Sequence, residues 1–359
     1  MATIKKRPNG TYQVAIRKKG HPPVYKSFDK RSQAQVWARE AEQSMHIGSF
    51  VDFRQAEKTL LDDRLLAYLE EITPTKKSVR TERAAIANLR AGLAHYVLAS
   101  VTPKAVADYS VARLQIVSSD TVRRELQILS EVYATCSALW NIPCINPVPD
   151  ARQMLTRRRQ LQPGVRRERR LFAGEQDYLL SVRHKRLTAP TQISEVIEFL
   201  LETAMRRGEL AAMRRADISK ATSTLRIPES KTDHQTEVKG RTIPLSGRAL
   251  EILAKLPARI DGTVWMYTSA DAISRAFSRT VVMARRAYEA KCIQEGREPD
   301  AAYLTDLRLH DLRHEAASRL FEKGLSLPEV ASITGHSDWD SLKRYTHPQA
   351  VEIAKKLIG

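Results

Sequence analysis

The sequence predicts a multidomain protein: a small β-sheet plus a helix at the N-terminus, an all-α middle domain, and a mixed α+β, mainly helical C-terminal domain. Three patterns support this fold class. Apolar and polar residues alternate on both sides of Asn9-Gly10, apolar residues recur at helical spacing from 58 to 141, and short strand-like runs interrupt the helical segments beyond Leu171. At 359 residues the chain is long enough for two or three domains, each with its own core.

We assign residues 1–52 to the N-terminal domain, which contains the stretch RPNGTYQVAIRKKG. Asn9-Gly10 tolerates the positive φ angles of a type I′ turn and therefore predicts a β-hairpin. One face of the second strand is apolar and carries Tyr12, Val14 and Ile16. A third strand is predicted at 24–28, and a helix from 29 to about 46.

The middle domain is predicted over residues 58–148 as a bundle of about four helices. Thr102 before Pro103 has the pattern of a helix N-cap followed by a first-position proline. Three prolines in NIPCINPVPD end the helical pattern. Residues 149–170 are rich in arginine and show little apolar periodicity, so we interpret them as an interdomain linker.

The C-terminal domain, residues 171–359, mixes helices with a few short strands and ends in a tail helix. The predicted helices lie at 174–186, 190–204, 207–213, 246–256, 269–291, 311–323, 327–334, 338–345 and 348–358. The predicted strands lie at 223–228, 240–245 and 263–266.

The net charge of +18 is concentrated in two parts of the chain. Residues 1–50 carry 10 basic and 3 acidic side chains, and residues 151–170 carry 8 arginines and one glutamate. Two separate basic patches favour an extended polyanion as the partner. Nucleic acid fits better than a membrane surface, because neither patch has the pattern of an amphipathic helix with a bulky apolar face.

Several protein classes are disfavoured. No apolar run of about 18 residues predicts a membrane span, and the N-terminus lacks the apolar stretch of a signal peptide, so we expect a cytoplasmic protein with no membrane partner. Cys136, Cys144 and Cys292 are too few and too irregularly spaced for a disulfide framework or a zinc site. Because Gly-rich phosphate loops are also absent, we expect neither a metal nor a cofactor.

Four segments of the C-terminal domain carry reactive side chains in a fixed order. They are TAMRRGEL at 203–210, ESKTDHQTEVKGRTIPL at 229–245, LHDLRHEAASRL at 309–320 and TGHSDWDSLKRYTHP at 334–348. This order of an arginine, a turn lysine, a His-x-x-Arg pair, a second histidine and a tyrosine resembles the tyrosine recombinases of the phage integrase family. The resemblance covers roughly 171–350, and the ordered set is specific although no single motif is.

The resemblance assigns the site residue by residue. The catalytic set is Arg206, Lys231, His310, Arg313, His336 and the nucleophile Tyr345. Lys239 stands close enough to Lys231 to remain an alternative turn lysine, and we expect Glu209 and Arg308 to support the site by pairing. Ala204 and Glu315 depart from the family pattern, which often has Gly at the first position and Ser or Thr at the second.

The chemistry of strand cleavage explains these residue types. Two guanidiniums, Arg206 and Arg313, can hold the two non-bridging oxygens of a phosphodiester while charge builds on them. His310 is expected to act as the base for Tyr345, Lys231 to protonate the leaving 5′-oxygen, and His336 to hydrogen-bond the phosphate. A 3′-phosphotyrosyl link stores the bond energy, so the reaction needs neither ATP nor a metal.

The resemblance also names the domains. Residues 1–52 are similar to an arm-type DNA-binding domain, 58–148 to a core-binding domain and 171–359 to the catalytic domain, with 149–170 as the Arg-rich linker. The candidate DNA-binding residues are Lys5, Lys6, Arg7, Tyr12, Arg17, Lys18, Lys19, Arg157, Arg158, Arg159, Arg166 and Arg167.

The resemblance implies a site-specific DNA recombinase that integrates or excises a mobile element, such as a phage, in the cytoplasm of a bacterial or phage-infected cell. Its expected partners are double-stranded DNA attachment sites, three further copies of the chain in a homotetramer on DNA, and DNA-bending accessory proteins. Two alternatives remain: a type IB topoisomerase-like enzyme, and a non-catalytic DNA-binding regulator on the same scaffold.

Overall fold

The structure is a computed structural model that describes residues 2–18, 23–47, 50–76, 78–164, 167–182, 192–228, 240–267, 269–336 and Leu342. The chain divides into two compact units, Met1–Arg166 and Arg167–Gly359. Over the described ranges the protein is mostly helical with two small three-stranded sheets. No helix in these ranges combines the length and the apolar character needed to cross a membrane.

The first unit opens with an antiparallel sheet. Its strands, in the order β1-β2-β3, are β1 (Ala2–Lys6), β2 (Tyr12–Ile16) and β3 (Val24–Phe28), and helix α1 (Arg31–His46) follows. Lys6 pairs with Tyr12, and Ile16 pairs with Val24. The apolar face predicted for β2 is confirmed, because Val14 and Ile16 are buried in a cluster with the alanines and Met45 of α1.

The turn between β1 and β2 is not the predicted type I′ turn, because five residues separate the two strands. Gly10 has a φ of +85°, while Asn9 is not among the residues with positive φ, and a type I′ turn requires positive φ at both central residues. The Asn9 side chain closes the loop instead. Asn9 Oδ1 accepts one hydrogen bond from the backbone N of Thr11 (3.2 Å) and a second from the Thr11 hydroxyl (2.8 Å).

The remainder of the first unit is a helical bundle. Its helices are α2 (Leu61–Glu71), α3 (Val79–Leu93), α4 (Pro103–Leu114), α5 (Ser119–Ala138) and α6 (Val148–Arg157). The predicted N-cap is confirmed, because the Thr102 hydroxyl accepts a hydrogen bond from the backbone N of Ala105 at 3.1 Å. Leu65, Leu89, Leu126 and Leu129 are among the fully buried side chains of this core.

Helix α6 corrects the interpretation of residues 149–170 as a linker. Val148, Ala151 and Leu155 lie at helical spacing and are buried in the bundle, and Leu161 joins the same cluster. The eight arginines of residues 151–170 obscured this periodicity in the sequence. The core of the bundle therefore continues to Leu161.

The second unit contains the remaining elements. They are α7 (Glu175–Ser181), α8 (Ile193–Thr203), α9 (Arg207–Ala211), β4 (Ile218–Ser219), β5 (Thr224–Ile227), β6 (Arg241–Pro244), α10 (Gly247–Lys255), α11 (Ala270–Gln294), α12 (Leu309–Glu322) and α13 (Leu327–Thr334). The strands form an antiparallel sheet in the order β4-β5-β6. The predicted helices at 338–345 and 348–358 lie outside the described residues, apart from Leu342.

The predicted strand at 263–266 is wrong. Thr263 makes only an isolated bridge to Arg214, and Val264 and Trp265 are buried in the main core of this unit without joining the sheet. The apolar run was therefore a core segment of irregular backbone, which short apolar patterns do not distinguish from a strand.

Helix α8 is the central element of the second unit. Ile193, Val196, Ile197, Phe199 and Leu200 are buried. Helices α10, α11 and α12 all pack against it. Arg206 follows the carboxyl end of α8, and His310 and Arg313 lie near the amino end of α12. The packing of α12 on α8 therefore brings these reactive side chains into one region.

Gly92 gives a test of the packing between α3 and α4. A Cβ atom at position 92 would lie 2.5 Å from a ring carbon of Tyr109, whose hydroxyl donates to the buried carboxylate of Glu125 at 2.8 Å. Gly92→Ala should therefore lower the free energy of unfolding by about 1–3 kcal/mol, although helix propensity alone would raise it by about 1 kcal/mol. Equilibrium urea denaturation measures the change.

The matched control combines Gly92→Ala with Tyr109→Leu. With the ring absent, Gly92→Ala should no longer destabilise the bundle, since the two substitutions are coupled through direct contact. An equal loss with and without the ring would contradict this interpretation of the helix contact.

Candidate active site

The first predicted catalytic residue, Arg206, lies in the turn between α8 and α9. Ala204 ends α8 in the left-handed region, with a φ of +51°, and Arg206 is extended and caps α9. The left-handed conformation explains why glycine is common in the family at this position, because glycine adopts it without the penalty of a Cβ atom. The turn directs Arg206 back towards Glu209, which accepts hydrogen bonds from its backbone N and from its Nη1, both at 2.9 Å.

Three guanidiniums meet at the carboxyl end of α13, and we call Arg206, Arg241 and Arg313 the arginine cluster. Arg241 Nε donates to the carbonyl of Ile333 (3.2 Å), Arg313 Nη2 to that of Thr334 (2.7 Å), and Arg206 Nη2 to that of Gly335. The last carbonyls of a helix lack partners within the helix and carry the negative end of its dipole. Three consecutive carbonyls therefore orient three cations.

Glu209 is the counter-ion of the cluster. Its buried carboxylate accepts a bidentate pair of hydrogen bonds from Arg241, both at 2.8 Å, in addition to those from Arg206. Burial alone would raise the pKa of Glu209, but the hydrogen bonds and charge of Arg241, followed by those of Arg206, lower this pKa to about 2. The carboxylate is therefore ionised at neutral pH.

Helix α12 supplies His310 and Arg313, which lie one helical turn apart on the same side of the helix. Arg313 is buried, with 4% of its surface exposed, and also donates to the carbonyl of Ala204 at 2.7 Å. His310 is exposed, and its ring contacts that of His314 edge to face with centroids 4.6 Å apart. Arg313 thus ties α12 to the carboxyl ends of both α8 and α13.

The hydrogen bonds of His336 define its tautomer. Thr334 Oγ1 donates to the carbonyl of Val330 at 2.7 Å, so the same oxygen accepts from His336 Nδ1 at 2.7 Å. The proton is therefore assigned to Nδ1, and Nε2 accepts from Arg313 Nη2 at 3.3 Å. In this arrangement the acceptor nitrogen of His336 faces the arginine cluster.

The structure thus brings together Arg206, Arg313 and His336, with His310 one turn away on α12. Lys231, its alternative Lys239, and Tyr345 lie outside the described residues. The predicted support by Glu209 agrees with its contacts. Arg308 instead has an exposed side chain 3.6 Å from Asp306, and only its backbone N joins the start of α12, by donating to Asp311.

Arg167 does not have the position expected of a DNA-contacting linker residue. Its Nε and Nη2 donate to the two carboxylate oxygens of Asp311, at 2.8 and 2.7 Å, and its remaining guanidinium nitrogen pairs with Asp306. Asp311 is 1% exposed and accepts from the backbone N of Arg308 at the start of α12. Arg167 is therefore an anchor for the helix that carries His310 and Arg313.

Glu315, which departs from the family pattern, has a related role. Its buried carboxylate accepts from Arg170 Nε at 2.9 Å and from Arg319 Nε at 2.8 Å. Burial opposes ionisation, but the hydrogen bonds from Arg170 and Arg319 lower the pKa of Glu315 below its usual value. A Ser or Thr at this position would remove the buried carboxylate and leave Arg170 its pair with the more exposed Glu322.

The other candidate DNA-binding residues differ in exposure. Lys5, Lys6, Arg7 and Arg17 are exposed, as are Arg157, Arg158 and Arg159 at the end of α6. Tyr12 is half-buried beneath the Lys6 ammonium, 5.9 Å from its ring centroid. Lys18 Nζ donates to the carbonyl of Met45 at 2.7 Å and so caps the carboxyl end of α1. Lys19 and Arg166 lie outside the described residues.

Sequence reasoning missed Arg241 and Thr334. Arg241 follows the turn with the candidate lysines, but neither its residue type nor its spacing distinguishes it from the many exposed arginines of this chain. Thr334 precedes the Gly-His pair and was open to interpretation as a helix-end residue. Over the described ranges, no group of three or more His, Cys, Asp or Glu side chains is placed to hold a metal ion.

Comparison with known proteins places this site in a family. Residues 171–352 match the phage integrase family. A putative integrase/recombinase of Haemophilus influenzae is 30% identical over 370 aligned positions, which cover all of this chain and 91% of that protein. The chain belongs to the phage integrase family, the tyrosine-type site-specific DNA recombinases.

Two further similarities extend the comparison. The shufflon-specific DNA recombinase of Escherichia coli is 34% identical over 243 residues, which is 67% of this chain, and the chain spans about half (54%) of that protein's length. A lambda integrase tetramer bound to a Holliday junction has a TM-score of 0.60 at 21% identity, covering 95% of this chain and 94% of that one. The second similarity supports the fold.

The ionisation of Glu209 gives a prediction on stability and pH. Because its folded-state pKa lies below the ordinary value of 4.5, its stabilisation is fully present above pH 4.5 and is lost as the pH falls towards 2. Glu209→Gln should lower the free energy of unfolding by about 3 kcal/mol at pH 7. The difference from wild type should shrink between pH 4.5 and 2 in urea denaturation.

Glu251→Gln is the control, because Glu251 pairs with Arg248 on the surface of the same unit and both side chains are about half exposed. Its effect should stay below about 1 kcal/mol. A Glu209→Gln effect that is independent of pH across this range would show that the ionised carboxylate does not stabilise the cluster.

Proposed function

We propose that this recombinase cuts one DNA strand at a time through a 3′-phosphotyrosyl intermediate and exchanges strands to integrate or excise a mobile element. The observation that carries the proposal is the arginine cluster, in which Arg206 and Arg313 are fixed by adjacent carbonyls beside His336. Groups held in position before the reaction stabilise developing charge without a cost of reorganisation.

In the proposed cleavage step, Tyr345 Oη attacks the scissile phosphorus and the bond from phosphorus to the 5′-oxygen breaks. Arg206 and Arg313 donate to the two non-bridging oxygens as negative charge increases on them. Loss of one such donor typically costs about 3–4 kcal/mol of transition-state stabilisation. The buried position of Arg313 supports its assignment, because a buried guanidinium interacts with a phosphate in a low-dielectric environment.

The protons also need carriers. A free tyrosine has a pKa near 10, so roughly one in a thousand is ionised at pH 7, which corresponds to a deficit of about 4 kcal/mol. We assign His310 as the base that accepts the proton of Tyr345; its exposure is consistent with access to DNA. Lys231, with Lys239 as the alternative, then protonates the leaving 5′-oxygen.

His336 has a more specific role than the sequence indicated. Its Nε2 accepts from Arg313, so His336 orients that guanidinium and does not donate to it. A hydrogen bond from Nε2 to the phosphate requires a second proton on the ring, and an arriving phosphate anion would favour that protonated form. We therefore assign His336 both functions, orientation before binding and donation after it.

Strand exchange completes the proposed reaction. The free 5′-hydroxyl of a partner strand attacks the phosphotyrosine, which restores the phosphodiester and releases Tyr345. We propose that four copies of the chain act together on paired attachment sites, aided by DNA-bending proteins. The tetrameric state of the lambda integrase on a Holliday junction supports this stoichiometry.

We retain the domain roles as part of the proposal. Residues 1–52 would bind arm-type sites, 58–148 the core site, and 171–359 would perform the chemistry. The exposed basic residues of β1 support the first role. The exposed arginines at the end of α6 support a phosphate contact next to the bundle, in place of the extended 149–170 linker.

The proposal is tested with a nicked suicide duplex that carries the end sequences of the protein's own genetic element. Wild type should give a covalent protein–DNA band on a denaturing gel, and Tyr345→Phe should give none, because only the phenolic oxygen forms the link. Tyr303→Phe is the control. The Tyr303 hydroxyl donates to the carbonyl of Ala173, 3.1 Å away, and takes no part in the arginine cluster.

Absence of the wild-type band together with tight DNA binding would contradict the enzymatic proposal and favour a DNA-binding regulator. A band without strand exchange between two duplexes would favour the topoisomerase-like alternative.

The salt dependence of DNA binding separates the two kinds of arginine near the unit boundary. Arg158 is exposed, whereas Arg167 is paired with Asp311 and Asp306. Arg158→Ala should reduce the slope of log affinity against log salt by about 0.9, because one phosphate contact is lost. Arg167→Ala should leave the slope unchanged. Fluorescence anisotropy over a range of salt concentrations measures both slopes. A reduced slope for Arg167→Ala would show that Arg167 contacts DNA after all.

A further inference from the structure

We propose that Arg241 is a positioning residue that fixes Arg206 through Glu209 and thereby controls stabilisation of the cleavage transition state. The inference rests on the proposed function. Arg241 makes no contact with the reacting atoms in this proposal. It acts on the orientation of a residue that does.

The first support is the shared carboxylate. Glu209 Oε1 accepts from the Nη1 atoms of both Arg206 and Arg241, at 2.9 and 2.8 Å, and Oε2 accepts from the backbone N of Arg206 and from Arg241 Nη2, at 2.9 and 2.8 Å. Because Arg241 occupies both oxygens, it leaves Arg206 a single side-chain bond to this carboxylate. Without Arg241, a bidentate pair between Arg206 and Glu209 becomes the favoured geometry and draws Arg206 towards Glu209.

The second support is the burial of the network. The side chains of Arg241, Glu209 and Arg206 are 13%, 5% and 22% exposed. Water therefore screens these charges little, and a cation removed at position 241 is not readily replaced by solvent. Removing one partner of a buried charged network leaves the remaining charges uncompensated, which perturbs the position of the side chains that remain.

The third support is the place of Arg241 in the chain. It is the first residue of β6, pairs with Ile227 across the sheet, and directly follows the segment that carries Lys231 and Lys239. Its Nε reaches the carbonyl of Ile333 on α13. One side chain thus joins the strand after the candidate lysines, the helix before His336 and the carboxylate that holds Arg206.

The close approach to α13 depends on Gly335. A Cβ atom at position 335 would lie 2.7 Å from Cζ of Arg241, and the backbone there has a φ of +69°. Glycine meets both requirements. Gly335→Ala therefore offers a second way to displace the Arg241 guanidinium without removing its charge, at a residue whose carbonyl also accepts from Arg206.

The experiment measures single-turnover cleavage of the suicide duplex with saturating protein. Arg241→Gln should slow cleavage by about 10- to 100-fold, by analogy with the loss of residues that orient metal ligands, while DNA affinity is unchanged. Arg241→Lys and Gly335→Ala should each give a smaller loss. Arg285→Lys is the control: Arg285 is 18% exposed, pairs with Glu289 and donates to the carbonyls of Asp300 and Tyr303, away from the cluster.

A substrate change distinguishes positioning from a general structural effect. A methylphosphonate at the scissile position replaces one charged non-bridging oxygen with a methyl group, so the contribution of Arg206 to that oxygen disappears. The ratio of wild-type to Arg241→Gln rates should then fall towards one for one diastereomer. An equal loss on both substrates, or no loss on the phosphodiester, would overturn the proposal.

The double variant Glu209→Gln, Arg241→Gln provides a second criterion on the phosphodiester alone. If Arg241 acts through Glu209, the double variant should cleave no more slowly than the slower single variant, and losses that multiply would overturn the proposal. Failure of the proposed function has a different signature, because wild type itself would then form no covalent product.

Discussion

The arrangement of the site depends on one interaction, the capture of three guanidiniums by three consecutive carbonyls at the end of α13. Arginines 206, 241 and 313 come from three different elements, so each of these hydrogen bonds is also a tertiary contact. Because Arg241 pairs bidentately with Glu209, Arg206 and Arg313 supply the excess positive charge that suits a phosphodiester whose charge grows during cleavage. The same bonds that hold the fold together here therefore prepare the anion-binding site.

Two features extend this constraint through the second unit. At the amino end of α12, the bidentate pair between Arg167 and Asp311 fixes the first turn of the helix that carries His310 and Arg313. At the carboxyl end of α8, the left-handed Ala204 offers its carbonyl to Arg313 and turns the chain into Arg206. Helix ends thus supply four of the carbonyls that position the site, because their unpaired backbone groups can bind side chains from elsewhere.

The sequence predicted the helical bundle, the N-terminal sheet, two of the three strands of the second sheet and the order of reactive residues, since these depend on local periodicity and on a specific ordered motif. It failed where tertiary contacts decide. Residues 149–157 were assigned to a linker because arginines obscured the spacing of Val148, Ala151 and Leu155. Arg167 was assigned to DNA because a basic residue in a basic stretch does not reveal that a buried aspartate 144 positions away binds it. Arg241 was missed for the same reason.

The measurement that tests this view most directly is a crystal structure of the Tyr345→Phe variant bound to an uncleaved duplex containing its crossover site. The scissile phosphate should accept hydrogen bonds from Arg206 and Arg313 through its two non-bridging oxygens. The bonds from Arg241 to Glu209 and from the cluster to the carbonyls at the end of α13 should be retained. A phosphate bound away from these guanidiniums, or a cluster rebuilt to reach it, would contradict the claim that the carbonyls prepare the site before DNA arrives.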